Sequence, residues 1–379
     1  MAVTIGVPRE TARGEHRVAL TPDVAARLAK AGYTVAVERG AGARAHFQDA
    51  DYETVGARTV GRDEALGADL VATVRPPEDD LGALRSGAVL IGFLQPLDRP
   101  ERAARLAERG VTAFSMELVP RITRAQKMDA LSAMSTVAGY KAVLLAADTL
   151  PKFFPLLTTA AGTIRPAQVL VLGAGVTGLQ ALATARRLGA VTSGYDVRPA
   201  AREQVESVGA TFVELDLDTG DAEDRGGYAK ALAEDQQAQQ VERLARYVAK
   251  ADIVISTALI PGRPAPVLIT EAGVEGMQPG SVIVDLAAPN GGNCAATQPD
   301  ERVVHAGVHV LGPMNLPASM PLHASQMYAR TLAALVTEFT EDGAFAPDFD
   351  DEIAQGACVT RDGAVVHERV KPLTDSLNG

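Results

Sequence analysis

Short apolar runs alternate along this chain with segments whose apolar residues recur at helical spacing. Val3–Val7, Tyr33–Glu38, Leu70–Arg75, Ala88–Leu94 and Thr112–Glu117 each read as a buried strand, with helical patterns between them. Thr21 and Pro22 suit the cap and first turn of a helix Asp23–Ala31, which Gly32 ends. A second set of strands is expected at Val169–Leu172, Val191–Val197, Thr211–Leu215, Ile253–Thr257, Ser281–Asp285, Val303–Val304 and Val308–Leu311. A helix is expected over Ser135–Ala147, and Leu150–Thr159 reads as loop and turn. The helical pattern Ala324–Phe339 is expected to return to the first set of strands, with a hairpin after it at Asp362-Gly363. Strand-helix alternation with short links predicts α/β architecture with parallel sheets. The expected domains are 1–137 together with 325–379, a discontinuous first domain, and 138–324.

The most informative stretch is QVLVLGAGVTGLQALATARRLGAVTSGYDVR, Gln168 to Arg198. A buried strand leads into Gly173, Gly175 and Gly178, then into a helix with Leu179, Leu182, Ala183 and Leu188 on one face. A second strand carries Asp196 at its end. Strand, G-x-G-x-x-G, helix, strand and acid in this order point to a dinucleotide site, and with the strand-helix alternation of the first domain both domains are read as Rossmann-like. Gly173 permits the sharp turn, Gly175 lets backbone approach a pyrophosphate, and Gly178 lets helix and strand close up. The helix N-terminus offers free N–H groups to the phosphates. Asp196 suits the ribose hydroxyls and repels a 2′-phosphate, favouring NAD(H); Arg198 nearby works against that discrimination.

Composition narrows the function classes. The chain has 379 residues, 47% hydrophobic and 22% charged, with a net charge of −11. That charge disfavours nucleic acid and anionic membranes as partners. No run of 18 apolar residues occurs, so no direct membrane insertion is expected. Two cysteines without a C-x-x-C, and no N-terminal signal, suggest a reducing compartment. The six histidines lack metal-ligand spacing; His305 and His309 fall in two strands around a turn, and no metal is expected. Residues Asp216–Gln240 are acidic and rich in glycine and glutamine, with Tyr228 behind Gly226-Gly227. They read as a solvated insertion, with a mobile lid as the rival reading.

Several motifs carry a resemblance. GVPRE, HRVALTP, LVLGAGVTGLQA and VIVDLA with a following GG resemble the alanine dehydrogenase/nicotinamide nucleotide transhydrogenase superfamily. PRITRAQKMDALS, AGYKAVLLAA, GGYAK and TALIPGRPAPVLIT resemble more narrowly the soluble NAD(H)-binding alpha subunit (domain I) of Re/Si-specific, proton-translocating transhydrogenases. The likeness covers nearly the whole chain. Alanine dehydrogenases carry a catalytic histidine where this chain has Gln95, and a catalytic aspartate where it has Pro289. Arg75 stands for their substrate-binding lysine, and Arg17 is kept. Gln95 and Pro289 cannot move protons, which an amino-acid dehydrogenase requires; hydride transfer between two nicotinamides does not.

The resemblance also implies roles. On residue type alone Arg121 and Asp129 read as a surface ion pair. By resemblance, Arg121 and Asp129 orient the nucleotide, Gln126 reaches the partner's nucleotide, and Ser132 contacts the nicotinamide. Val176, Asp196, Val197, Arg198, Gly227, Gln240 and Leu259 match nucleotide-contacting positions, and Tyr228 rides on a loop closing over NAD(H). Implied partners are membrane-spanning subunits, an NADP(H)-binding domain that holds the second cofactor, and a second copy in a homodimer. The implied location is the cytoplasmic face of the membrane. The alternatives are an alanine-type amino-acid dehydrogenase and a non-catalytic NAD-sensing module.

Overall fold

A computed structural model describes residues 3–215, 234–260 and 263–377. The chain divides into two compact units, Met1–Met134 with Pro317–Gly379, and Ser135–Leu316.

The first unit is built on an eight-stranded sheet. Six strands run parallel in the spatial order Thr112–Ser115, Val89–Gly92, Leu70–Ala72, Thr4–Val7, Thr34–Glu38 and Arg58–Val60. Ile5, Leu70, Val71, Leu90 and Ile91 are fully buried, as expected of parallel strands covered on both faces. The chain's last segment extends this sheet: Cys358–Arg361 pairs antiparallel with Thr112–Ser115, and Ala364–Val365 closes the edge. Asp362 and Gly363 both have positive φ, the conformation a two-residue hairpin turn requires. Phe114 holds that segment down by packing on Phe339, Phe345 and Phe349, edge-on to Phe345 at 5.4 Å. The helix Pro321–Glu338 belongs to the same unit, which is therefore discontinuous.

The second unit has seven strands in the order Thr211–Phe212, Val191–Tyr195, Gln168–Leu172, Ile253–Ser256, Val282–Asp285, Val308–Leu311 and Arg302–His305. All pairs are parallel except the last. Both sheets are thus dominated by parallel pairing, as expected, and each adds antiparallel pairing at one edge. Leu170 and Leu172 pack on one face of this sheet, Val169 and Val171 on the other. Chain order reverses between Gln168–Leu172 and Ile253–Ser256, where doubly wound sheets leave a crevice at the strands' C-terminal ends.

The edge strand Arg58–Val60 lies where no strand is expected, and three further local expectations differ from the structure. The helix expected over Ser135–Ala147 runs Ala130–Thr149. It starts earlier because Asp129 receives the Ser132 N–H at 2.8 Å, satisfying a donor the first turn leaves open. This is the one described helix long and apolar enough to cross a bilayer, yet Ala142, Val143 and Ala146 lie in the second unit's core. Leu157–Thr159 and Gly162–Ile164 form a hairpin in place of a plain loop. Thr21 does precede the helix Pro22–Lys30, but its hydroxyl donates to Asp23 and caps no N–H.

The first unit buries acids. Glu10 accepts the N–H groups of Val74 (2.6 Å) and Arg75 (3.0 Å), and Glu15 is gripped by both arms of Arg17 at 2.7 and 2.6 Å. Burial, reinforced by Glu15, pushes Glu10 from 4.5 up to about 7, against the lowering effect of its two backbone donors and Arg17. A carboxyl raised on folding binds its proton more tightly in the native state. Its stabilising contribution is complete below pH 4.5 and is lost as pH rises through about 7. Glu10→Gln should therefore gain stability relative to the unaltered protein as pH rises across that window. Urea midpoints measured for both at pH 4.5, 5.5, 6.5 and 7.5 check this; a constant difference contradicts it.

Candidate functional site

The glycine turn sits at the crossover of the second sheet. Gly173 ends the strand Gln168–Leu172 with φ +93°, and a Cβ there would lie 2.8 Å from Thr257 Oγ1. The helix Val176–Arg187 begins at once, and a Cβ on Gly178 would lie 1.9 Å from the Gly173 carbonyl oxygen. Both glycines are demanded by the protein's own geometry. Gly175 is different. Its φ is −75°, which any residue adopts, and among the described residues no atom lies within 4 Å of where its Cβ would be. Nothing in the fold requires glycine at 175, so its missing side chain keeps open a space beside the helix N-terminus. No side chain caps that helix, and Val176 in its first turn is 42% exposed. Free N–H groups facing open space form an anion site.

Asp196 stands on the neighbouring strand's end. Its Oδ2 accepts from Ala174 N–H at 2.8 Å, which ties the strand end to the glycine turn. Arg198 donates to it three times: backbone N–H and Nε to Oδ1, both at 2.9 Å, and Nη2 to Oδ2 at 2.8 Å. The sequence predicts a carboxylate able to accept from two ribose hydroxyls. A carboxylate has about four acceptor positions, and here all are filled from within the chain. Val197 is half-buried against the core.

A buried polar network fixes the opposite side of the crevice. Asp285 ends its strand fully buried, and it accepts from Ala287 N, Asn293 N, Cys294 N and Thr297 Oγ1 at 2.7–3.0 Å. Gly291 and Gly292, both at positive φ, let the loop curl back to make these bonds. Burial nevertheless raises the Asp285 carboxyl above its ordinary value, with all four donors pulling it back. The loop so formed delivers Asn293, also fully buried. Its Oδ1 accepts from Ser256 Oγ (2.6 Å) and Ala258 N (3.0 Å). Its Nδ2 donates to the carbonyls of Ala258 (2.9 Å) and Pro266 (2.8 Å). Every hydrogen-bonding position of the amide is used. The effect is to pin the segment after Ser256, where Leu259 is 43% exposed. Asn293 and Asp285 were missed as site residues from sequence. The available signal was the paired glycines between a strand-ending aspartate and an asparagine.

Gly173, Gly175, Val176, Gly178, Asp196, Val197, Arg198 and Leu259 thus converge on one end of the second sheet. Gln240 is placed behind them: it is buried, and its amide donates to Tyr195 Oη at 2.9 Å. Gly227 and Tyr228 lie outside the described residues, as does most of Asp216–Gln240.

Arg121, Gln126, Asp129 and Ser132 belong to the first unit. Asp129 receives both the N–H and the hydroxyl of Ser132, at 2.8 and 2.6 Å. Arg121 and Gln126 are exposed. Gln126 lies on the short helix Thr123–Met128, whose neighbouring cations are tied down. Arg124 pairs with Asp351 and Glu338, and Lys127 with Glu338 at 2.7 Å. The basic residues of this loop are therefore partly neutralised, while Gln126 between them projects from an anchored turn.

The family model described as "Alanine dehydrogenase/PNT, N-terminal domain" matches residues 6–138, and its C-terminal counterpart matches 142–368. An NAD(P) transhydrogenase alpha-subunit protein of Rhodospirillum rubrum is 44% identical over 375 residues, spanning 96% of this chain and 97% of that protein. The alanine dehydrogenase of Bacillus subtilis is 30% identical over 384 residues, spanning 97% of this chain and 93% of that one. Among solved structures, a transhydrogenase from Sinorhizobium meliloti superposes with a TM-score of 0.86 at 41% identity, covering 96% of this chain and all of that one. An L-alanine dehydrogenase superposes at 0.81 with 27% identity, covering 99% of each chain.

The two kinds of glycine separate packing from ligand contact. Gly178→Ala should lower the melting temperature sharply, because its Cβ meets a backbone oxygen that cannot move away. Gly175→Ala should leave melting unchanged and weaken binding of a nicotinamide nucleotide by about tenfold or more, since its Cβ enters only the open space. Calorimetry on both variants checks this; a Gly175→Ala protein that melts early and binds normally would reverse the assignment. Asn293→Asp tests the network. It presents a carboxylate to the Ala258 and Pro266 carbonyls and should destabilise by about 1–3 kcal/mol per donor lost. Denaturation at neutral pH measures this, and a loss below about 0.5 kcal/mol contradicts it.

Proposed function

The chain belongs to the alanine dehydrogenase/PNT family, with the NAD(P) transhydrogenase alpha subunits as relatives over nearly its full length, and from that membership we propose its specific role. It is the NAD(H)-binding component of a Re/Si-specific, proton-translocating transhydrogenase. Hydride passes between NADPH, held by a partner domain, and NAD+ held here. The observation that carries this is an intact dinucleotide crevice on a chain that lacks the family's proton-moving groups. Gln95 and Pro289 stand where a dehydrogenase needs a histidine and an aspartate. The carboxylate bonded to the Gln95 backbone, Glu117, is spent on Leu94 N, Gln95 N and Ser115 Oγ. Transfer between two nicotinamides needs only that the rings be held within about 3–3.5 Å, so a site without acid or base suffices.

NAD(H), bound at the glycine turn, supplies the hydride acceptor or donor. Gly173, Gly175 and the helix N-terminus receive its pyrophosphate, Asp196 its adenine-side ribose with Val197 and Arg198 alongside, and Val176 and Leu259 offer apolar contact. Arg121, Asp129 and Ser132 serve the nicotinamide end, and Gln126 bridges to the partner's NADP(H). Membrane-spanning subunits carry the protons, with this chain peripheral on the cytoplasmic face. A homodimer is supported by exposed apolar residues around one hairpin: Phe153 at 55%, Leu156 at 59% and Ile164 at 41%.

Gln126→Asn keeps the amide and shortens its reach, so it tests positioning. With purified partner subunits, stopped-flow hydride transfer should fall by about a hundredfold, the scale of a roughly 1 Å misplacement. NADH affinity should change by less than about 1 kcal/mol. Normal transfer removes Gln126 from the mechanism, and lost NADH binding makes it an ordinary cofactor ligand.

A further inference from the structure

The carboxylate that should choose between NAD(H) and NADP(H) is already paired. Asp196 and Arg198 meet fork to fork, Nε to Oδ1 at 2.9 Å and Nη2 to Oδ2 at 2.8 Å. That geometry is how arginine grips a carboxylate, and equally how it grips a phosphate. The pair is well enclosed, with side-chain exposures of 5% for Asp196 and 17% for Arg198. It stands at the end of the strand Val191–Tyr195, where the dinucleotide's adenine-side ribose lies in a sheet of this topology. Ala174 N–H also donates to Oδ2 at 2.8 Å, which ties the acid to the glycine turn independently of the arginine.

We propose that Asp196 holds Arg198 as an internal substitute for a 2′-phosphate, making the pair a latent cofactor-specificity switch. This rests on the reading of the glycine turn as a dinucleotide site. Two consequences follow. First, rejection of NADP(H) does not come from a bare negative charge, because the arginine neutralises it; it comes from the arginine being engaged. Second, a ribose diol binds Asp196 only as the Arg198 fork opens, so Arg198 competes with NAD(H) for the same oxygens. A bare aspartate predicts that removing it merely relieves repulsion. The paired aspartate predicts that removing it also releases a cation able to grip the 2′-phosphate.

Four proteins distinguish these: the unaltered chain, Asp196→Ala, Arg198→Ala and the double variant. NADH and NADPH are titrated into each by calorimetry at fixed ionic strength. Asp196→Asn runs alongside, because it keeps an acceptor for Ala174 N–H if the alanine variant does not fold. In Asp196→Ala, NADPH affinity should rise by about tenfold or more while NADH affinity falls. In Arg198→Ala, NADH affinity should hold or rise, and the preference for NADH should widen. In the double variant the NADPH gain should vanish. The proposal is overturned if Asp196→Ala and Asp196→Asn leave NADPH affinity unchanged or lower. It is equally overturned if the gain survives in the double variant, or if Arg198→Ala loses NADH binding as a direct ligand would. Should the unaltered chain bind neither nucleotide, the dinucleotide reading of the turn falls, a result separate from all of these.

Discussion

The second unit depends on one close approach. The helix Val176–Arg187 starts directly at the end of a buried parallel strand, and position 178 leaves no room for a Cβ beside the Gly173 carbonyl. That closeness aims the uncapped helix N-terminus into the crevice where strand order reverses. The other site features stand relative to it. Ala174 N–H, in the same turn, holds Asp196, and Thr257 donates its hydroxyl to the Gly173 carbonyl at 3.0 Å. Displace the helix and its N-terminus, Asp196 and the facing loop all lose their reference.

Buried polar groups do the rest of the positioning. Asp285 and Asn293 are fully buried, and each is saturated with hydrogen bonds, so the cost of burying them is offset and their geometry is unique. Asp285 organises its loop, the loop delivers Asn293, and Asn293 sets the backbone at Ala258. In the first unit half-buried acids position backbone: Asp129 starts a twenty-residue helix, and Glu338 ties down the turn carrying Gln126.

Periodicity and turn residues made the strands of both sheets except the short edge strand Arg58–Val60, the return of the C-terminal segment and the glycine turn legible in the sequence. These depend on local patterns, and the strand positions vary only at their ends. What was not legible depends on side chains choosing partners. Asp129 and Ser132 look like polar loop residues until the aspartate is seen receiving the serine's N–H. The hairpin Leu157–Ile164 has no clean alternation, since its threonines and Ile164 are largely exposed. Asp196 and Arg198 sit two apart in plain view, but spacing does not reveal that the arginine takes up the acid's acceptors. Asn293 is a lone amide whose value lies wholly in the carbonyls it meets. The absence of proton-moving groups at 95 and 289 was readable only against relatives, because absence has no pattern of its own.

The chemistry proposed for this chain is hydride movement between nicotinamides and not oxidation of an amino acid. The direct measurement uses one preparation of the pure chain under two conditions. Alone with alanine and NAD+, it should produce no NADH above background. Combined with the membrane subunits and the NADP(H)-binding partner, it should carry hydride from NADPH to an NAD+ analogue at a rate set by this chain's concentration. NADH formation from alanine by the chain alone, with no transfer in the assembled complex, would contradict the account.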